Sequence, residues 1–243
     1  MTIPRIFVPS NKLSVKQKIV LDSAASWHLL QVLRLQVNDQ VIIFNNTGGE
    51  FKSYLIAIDR RLAVVFLEEF IIRNNESPLS IHLGQGISRG EKMDFTVQKA
   101  VELGVCTITP LFTSYCNVKL DDKRLEKRLH HWQGVATSAA EQSGRCYVPQ
   151  IFPSQTLAKW CDIQTPGLCL VLDPNAVNKL SSIKERPSKL TILVGSEGGL
   201  SDEEITQAKQ KHFLPITLGP RILRTETAAL TAISILQARW GDL

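Results

Sequence analysis

The chain has 243 residues, 44% of them hydrophobic and 21% charged, values that exclude disorder and collagen-like repeats and allow one large domain or two ordinary ones. No apolar run approaches the roughly 18 residues of a membrane span, and Met1-Thr2-Ile3-Pro4-Arg5 does not open like a secretory signal, so a cytoplasmic protein outside the membrane is expected. The formal net charge is +5 and the excess is denser early: nine Lys or Arg against six Asp or Glu in residues 1–73, nineteen against seventeen in 74–243. Such a surface suits an anionic partner such as nucleic acid, and equally suits plain solubility.

In chain order, residues 24–35 have apolar positions at helical spacing and end near Arg34, which predicts a short helix. Runs at 40–44, 50–56 and 62–66 are rich in β-branched and aromatic residues and are separated by turn residues such as Asn45-Asn46-Thr47-Gly48-Gly49. They predict a small β-barrel or sandwich. The polar segment Arg73-Asn74-Asn75-Glu76-Ser77-Pro78 follows, and the domain boundary is placed there, giving 1–73 and 74–243.

Beyond it the pattern alternates. A strand is expected at 80–86, a helix at 91–103, a strand at 106–112 and a long charged helix at 121–143; a last helix runs from about 224 to 239. The continuous apolar runs 168–172 and 190–194 suit strands buried on both faces of a mainly parallel sheet, so the fold class is α/β. On the long helix, Lys123, Arg124, Lys127 and Arg128 alternate with Asp121, Asp122 and Glu126, the pattern of a solvated face.

Open α/β sheets bind ligands at the carboxyl ends of their strands. Three such turns carry candidate chemistry: Asp173-Pro174 after one strand, Gly195-Ser196-Glu197-Gly198-Gly199 after another, and Leu218-Gly219-Pro220-Arg221-Ile222-Leu223-Arg224 after a third. Ser201 with Glu204 forms an S-x-x-E capping box, so the second turn feeds a helix. Familiar nucleotide motifs fail: Gly84, Gly86 and Gly90 give G-x-G-x-x-x-G, one residue too long for a dinucleotide fingerprint, and there is no phosphate-loop, zincin or esterase signature. The five cysteines, Cys106, Cys116, Cys146, Cys161 and Cys169, are odd in number and contain no C-x-x-C pair. Buried reduced thiols are expected in place of disulfides or zinc. His130-His131 point to different sides of a helix and read as surface packing, so no metal is expected.

The segments Leu193-Val-Gly-Ser-Glu-Gly-Gly199 and Leu218-Gly-Pro-Arg-Ile-Leu-Arg-Thr-Glu-Thr-Ala-Ala-Leu230 strongly resemble the SPOUT methyltransferases, specifically the bacterial 16S ribosomal RNA uracil-N3 methyltransferases. Pro4-Arg5-Ile6-Phe7, residues 28–34, Ser88-Arg-Gly-Glu-Lys-Met93, Glu102-Leu-Gly-Val105, Ile108-Thr-Pro-Leu111 and Glu141-Gln-Ser-Gly-Arg145 look like blocks of the same family. Ser196 is a departure, since the family loop has proline there. The resemblance implies a smaller N-terminal PUA-like RNA-binding β-barrel, a C-terminal α/β trefoil-knot domain and a homodimer that methylates N3 of a decoding-region uridine of 16S rRNA in the small ribosomal subunit.

Carried over residue by residue, the resemblance implies that Leu172, Gly195, Glu197, Gly198, Gly199, Leu218, Gly219, Ile222 and Leu223 hold S-adenosylmethionine (SAM). Uracil N3 is a weakly acidic imide, so methylation needs its proton removed and the resulting anion stabilised. Arg224 is expected to stabilise that anion or orient a phosphate, while Glu197 or Glu226 assists deprotonation; a helix-terminal ion pair among them is the structural alternative. Arg5, Arg34, Arg89, Lys92 and Arg145 are the basic residues in family-like blocks and the candidates for gripping RNA. Ala228, Ala229 and Ala232 would permit close helix packing, as a dimer interface needs. A non-catalytic ribosome-assembly protein, a SPOUT enzyme with another RNA target and a nicotinamide-dependent oxidoreductase built on the Gly84 turn are the competing readings.

Overall fold

The computed structural model describes residues 3–116, 121–163, 167–184 and 186–243. The chain forms two compact units, Met1–Glu76 with Ala140–Val148, and Ser77–Ala139 with Pro149–Leu243. The division thus falls three residues beyond the expected one, and the first unit also takes 140–148, which the sequence reading had assigned to the second. Long-range hydrogen bonds explain the capture of that segment. The Glu141 carboxylate accepts the Phe7 N–H at 2.9 Å, the Arg145 carbonyl accepts from the Arg5 guanidinium at 3.0 Å, and Asn46 Oδ1 accepts the Val148 N–H at 2.8 Å.

The first unit is a five-stranded sheet of order β1-β3-β4-β5-β2, with β1 Arg5–Phe7, β2 Gln17–Val20, β3 Gln40–Phe44, β4 Gly49–Asp59 and β5 Leu62–Ile72. Only β1 and β3 pair in parallel; the other pairs are antiparallel. Alternation along the strands buries one face, where Ile6, Val41, Ile43, Leu55, Val65 and Leu67 form the core with Leu29. The expected helix is present in irregular form. Asp22 caps α1, Ser23–Trp27, by accepting the Ala25 N–H at 2.8 Å, and the chain then widens into a π-helical turn, His28–Val32.

The second unit carries β6 Ser80–Gly86, α2 Glu91–Glu102, β7 Thr107–Phe112, α3 Asp122–Ser143, β8 Gln150–Ile151, β9 Gln155–Thr156, α4 Leu157–Cys161, β10 Leu168–Leu172, β11 Lys189–Val194, α5 Asp202–Gln210, β12 Leu214–Ile216 and α6 Thr225–Trp240. The last turn of α3 belongs to the 140–148 segment of the first unit. The strands run in the order β12-β10-β11-β6-β7-β8, with β9 also on β7, and every pair is parallel. All the turns that follow these strands therefore leave from one end of the sheet. From β12, at the sheet edge, the chain returns to α6, which packs on α2 and β11. Ala229 and Ala232 are fully buried within this single chain, so the small residues expected at a dimer interface serve internal helix packing. Cys146 and Cys161 are buried, as expected of structural thiols, whereas Cys106, Cys116 and Cys169 are half-exposed.

Candidate cofactor and catalytic site

β12, β10 and β11 lie side by side, so the three turns singled out in the sequence meet at their carboxyl ends. Backbone pairing joins the first to the third: the Asp173 N–H donates to the Ile216 carbonyl at 3.0 Å and the Thr217 N–H to the Asn178 carbonyl at 2.8 Å. The middle turn is closed by a Gly199 N–H bond to the Ser196 carbonyl at 2.9 Å, and the capping box of Ser201 and Glu204 forms as the sequence indicates. Ser196 is buried, and its hydroxyl accepts from Thr113 Oγ1 at 3.2 Å. A side-chain hydrogen bond thus restrains the position where the resembling loops have proline.

The near-miss glycine motif has a packing role. A Cβ at Gly84 would overlap the Trp160 ring and one at Gly86 would overlap the backbone of Gly195 and Ser196, so both glycines permit close approach of other segments. Between them Gln85, fully buried, reaches the Gly195 carbonyl at 3.2 Å and Thr225 Oγ1 at 2.9 Å through Nε2, while the Thr225 hydroxyl donates to the same carbonyl at 2.6 Å. This knot of hydrogen bonds fixes the end of β6, the middle turn and the first residue of α6 to one another. Sequence reasoning noticed the glycines and missed Gln85, because its partners lie 110 and 140 residues away.

The cofactor candidates fall into two kinds. Leu172, Leu218, Gly219 and Leu223 are half-buried around the strand ends, Gly195 is buried, and Glu197, Gly198 and Gly199 lie along the middle turn. Ile222, by contrast, is 87% exposed. Beside Gly199 and Gly219 the space that a Cβ would enter is open, and Gly199 has a left-handed φ of 77°. Open backbone next to half-buried leucines and an exposed isoleucine suits a flat apolar ring with polar edges, which is what the adenine of SAM presents.

The three candidate catalytic side chains differ in what surrounds them. Glu197 accepts the Arg89 N–H at 2.9 Å and faces Lys92 Nζ at 3.6 Å. Burial alone would raise its carboxyl, but the Arg89 and Glu197 N–H groups and Lys92 outweigh it and hold it below the usual carboxylate range. Arg224 precedes the first turn of α6, is exposed, and makes no side-chain hydrogen bond or ion pair among the described residues. Glu226 lies in that first turn with Oε2 buried and without a partner. The helix-terminal ion pair considered from sequence does not form among these residues.

The basic candidates also separate. Arg5 lies over the Phe44 ring and pairs with Glu50, with side chains 9% and 7% exposed, while Arg145 is buried and paired with Glu76. Both guanidiniums are held inside the first unit, which corrects their expected place on an RNA-facing surface. Arg34 and Arg89 are exposed; Lys92 is half-exposed against Glu197.

Residues 75–237 match a family model described as an RNA methyltransferase domain, and residues 21–68 match one described as an RNA methyltransferase PUA domain. The fold and these matches define an RNA methyltransferase of the SPOUT α/β trefoil-knot class with a PUA-like N-terminal domain. Ribosomal RNA small subunit methyltransferase E of Buchnera aphidicola (Schizaphis graminum) is 41% identical over 99% of this chain and 98% of its own length, and that of Bacillus subtilis is 31% identical over 86% and 85%. Among solved structures, a Legionella pneumophila methyltransferase with bound SAM superposes with a TM-score of 0.96 at 38% identity, and the Neisseria gonorrhoeae ribosomal RNA small subunit methyltransferase E bound to SAM with 0.93 at 39%, each covering 100% of both chains. The chain belongs to the ribosomal RNA small subunit methyltransferase E family.

Proposed function

We propose that the chain uses SAM to methylate N3 of a decoding-region uridine of 16S rRNA within the small ribosomal subunit, acting in the cytoplasm as a homodimer. The observation that carries the mechanism is the presence, at the head of α6, of an exposed arginine and a buried carboxylate oxygen that both have no partner among the described residues. Both follow directly from the third ligand turn. Bound SAM would supply a sulfonium methyl whose S–C bond breaks as N3–C forms, the electron pair leaving on sulfur.

The residues of the chain supply the rest. Glu226 takes the N3 proton through Oε2, which has no hydrogen-bond partner among the described residues, and Arg224 stabilises the charge that spreads to the uracil carbonyl oxygens. Glu197, occupied by the Arg89 N–H and Lys92, holds the middle turn in place and takes no proton. Half-buried Leu172, Leu218 and Leu223 flank the adenine, and the open backbone at Gly199 and Gly219 lets the ligand approach. Positioning supplies much of such catalysis.

The test is methyl transfer from labelled SAM to small subunits from cells lacking this protein, followed by nucleoside mass spectrometry. Appearance of 3-methyluridine supports the reading; a different methylated nucleoside would keep the transferase and overturn the uridine assignment.

A further inference from the structure

The first unit has an exposed aromatic that no part of the proposed chemistry uses. Trp27 is 62% exposed, whereas Trp132, Trp160 and Trp240 are 2%, 2% and 6% exposed. Trp27 ends α1, immediately before the π-helical turn, an element that recurs at functional sites. His28, Gln31, Val32, Leu33 and Arg34 continue the exposed face.

The neighbouring hairpin is equally unusual. β4 and β5 are joined between Asp59 and Leu62 by only two residues, Arg60 and Arg61, both with left-handed φ, 46° and 72°. Two-residue hairpin turns of this hand favour Asn-Gly, and arginine carries a steric penalty at both positions. Arg34 also has a left-handed φ, 57°. Strain of this kind, held on exposed arginines, points to a use for their charge.

Backbone and side-chain bonds place this hairpin beside Trp27. Ser26 Oγ accepts the Ala63 N–H at 2.9 Å, and the Ala63 carbonyl accepts the Leu21 N–H at 2.9 Å. Arg61 is two residues from Ala63, and Trp27 follows Ser26. Ile58 lies opposite Ala63 across the hairpin and is exposed, whereas Ala63 is buried. None of the three arginines forms an ion pair among the described residues. Of the nearby carboxylates, Asp22 accepts the Ala25 N–H and Asp39 the Gln36 N–H, leaving Asp59 as the exposed acid at the hairpin tip.

We propose that Trp27 is a stacking platform for one unpaired nucleobase of the RNA substrate, with Arg34, Arg60 and Arg61 holding the flanking phosphates. The inference rests on the reading of the chain as an rRNA methyltransferase and adds where the RNA strand is gripped and in what state. An exposed indole on a helix hydrogen-bonded to a hairpin with exposed arginines at its tip matches the requirements of a single strand, whose bases are free to stack; a duplex offers no free base face.

Since Trp27 is the exposed tryptophan, its emission reports directly on the patch. The full chain is titrated with a single-stranded oligoribonucleotide and with a duplex of the same sequence, at several salt concentrations. The single strand is expected to quench the exposed emission and the duplex to leave it. Trp27→Ala should weaken single-strand binding by about tenfold with its salt dependence retained, and Trp27→Phe should restore most of it. The double variant R60N/R61G should raise Tm, because it relieves the turn, yet weaken binding and flatten its salt dependence.

If the wild-type chain binds RNA while Trp27 emission and Trp27→Ala affinity are unchanged, the platform is overturned and the methyltransferase reading stands. If emission shifts with protein concentration alone, the patch joins copies of this chain and the platform is again overturned. If the wild-type chain binds neither single strand, duplex nor small subunit, the underlying reading falls with it.

Discussion

Two sets of charged side chains, one from each compact unit, are treated in opposite ways. In the first, Arg5 and Arg145 are buried and locked to Glu50 and Glu76; in the second, exposed Arg224 and one buried oxygen of Glu226 have no partner among the described residues. Arg5, Arg145, Arg224 and Glu226 all lie in segments that resemble the same family, so motif membership alone does not separate structural from chemical charge. The inventory of partners does. A buried guanidinium with a carboxylate on it cannot also meet a phosphate, whereas an arginine and a carboxylate oxygen without partners among the described residues are free to meet a ligand.

Removing charge from these two sets should therefore affect turnover in the second and stability in the first. The largest effect is expected at Arg224→Ala: kcat falls by about 10³-fold because the charge developing on uracil loses its donor, while SAM binding and Tm stay as they were. Glu226→Gln keeps the shape and loses the acceptor, and kcat should fall by about 10²-fold with unchanged SAM affinity. Stopped-flow or discontinuous methyl transfer under saturating SAM measures both. Normal turnover in either variant would remove that residue from the chemistry.

In the first unit the corresponding change is Glu50→Gln. It leaves Arg5 buried without its counter-charge and should cost roughly 3 kcal/mol of stability in denaturant unfolding, with kcat per folded molecule unchanged. Burial opposes ionisation of Glu50, but Arg5 and Arg73 win and hold its carboxyl below the usual range. A depressed carboxylate contributes stability that is present above its unfolded value near 4.5 and lost as pH falls below it.

The second unit should yield to acid earlier. His82 sits under Trp160 and Phe152, bonded to Thr109 Oγ1 at 2.8 Å, and burial pushes its pKa down to about 4. The unfolded chain binds a proton there near 6.5 and the folded one does not, so stability drains away between pH 6.5 and about 4, on the order of 3 kcal/mol. His82→Gln should flatten that limb and leave the one below 4.5, set by Glu50, in place.

Legibility followed range. Strands 40–44 and 168–172 were placed to the residue because each is a compact, mainly apolar run, and 80–86 was placed to the residue between the Pro78 boundary and the helix at 91. β4 and β5 run on past Ile56 and Phe66 through polar and charged positions that only cross-strand pairing makes regular. β1 and β2 are too short to show a period, and residues 24–35 carry a helical pattern that does not reveal its π-helical turn. At the site, the glycine turns were visible because glycine marks backbone approach. Gln85 and Thr225 were not, since what singles them out is contact with Gly195 across the sheet. The strain at Arg60-Arg61 was not legible either, since only φ shows it.

The smallest expected effect sharpens the contrast within the site itself. Glu197 and Glu226 are both carboxylates on ligand turns, yet Glu197 is already engaged on two sides. Its ion pair with Lys92 spans 3.6 Å between side chains 42% and 25% exposed, a geometry worth well under about 1 kcal/mol in water. Lys92→Ala should accordingly leave Tm nearly unchanged and alter kcat by less than about threefold. In Glu197→Gln the Arg89 N–H keeps an acceptor in the amide oxygen, so SAM affinity should fall by only about threefold and kcat by less. A loss of kcat comparable to that of Glu226→Gln would transfer the proton-accepting role to Glu197 and show that partners present in the free protein can be displaced when RNA binds.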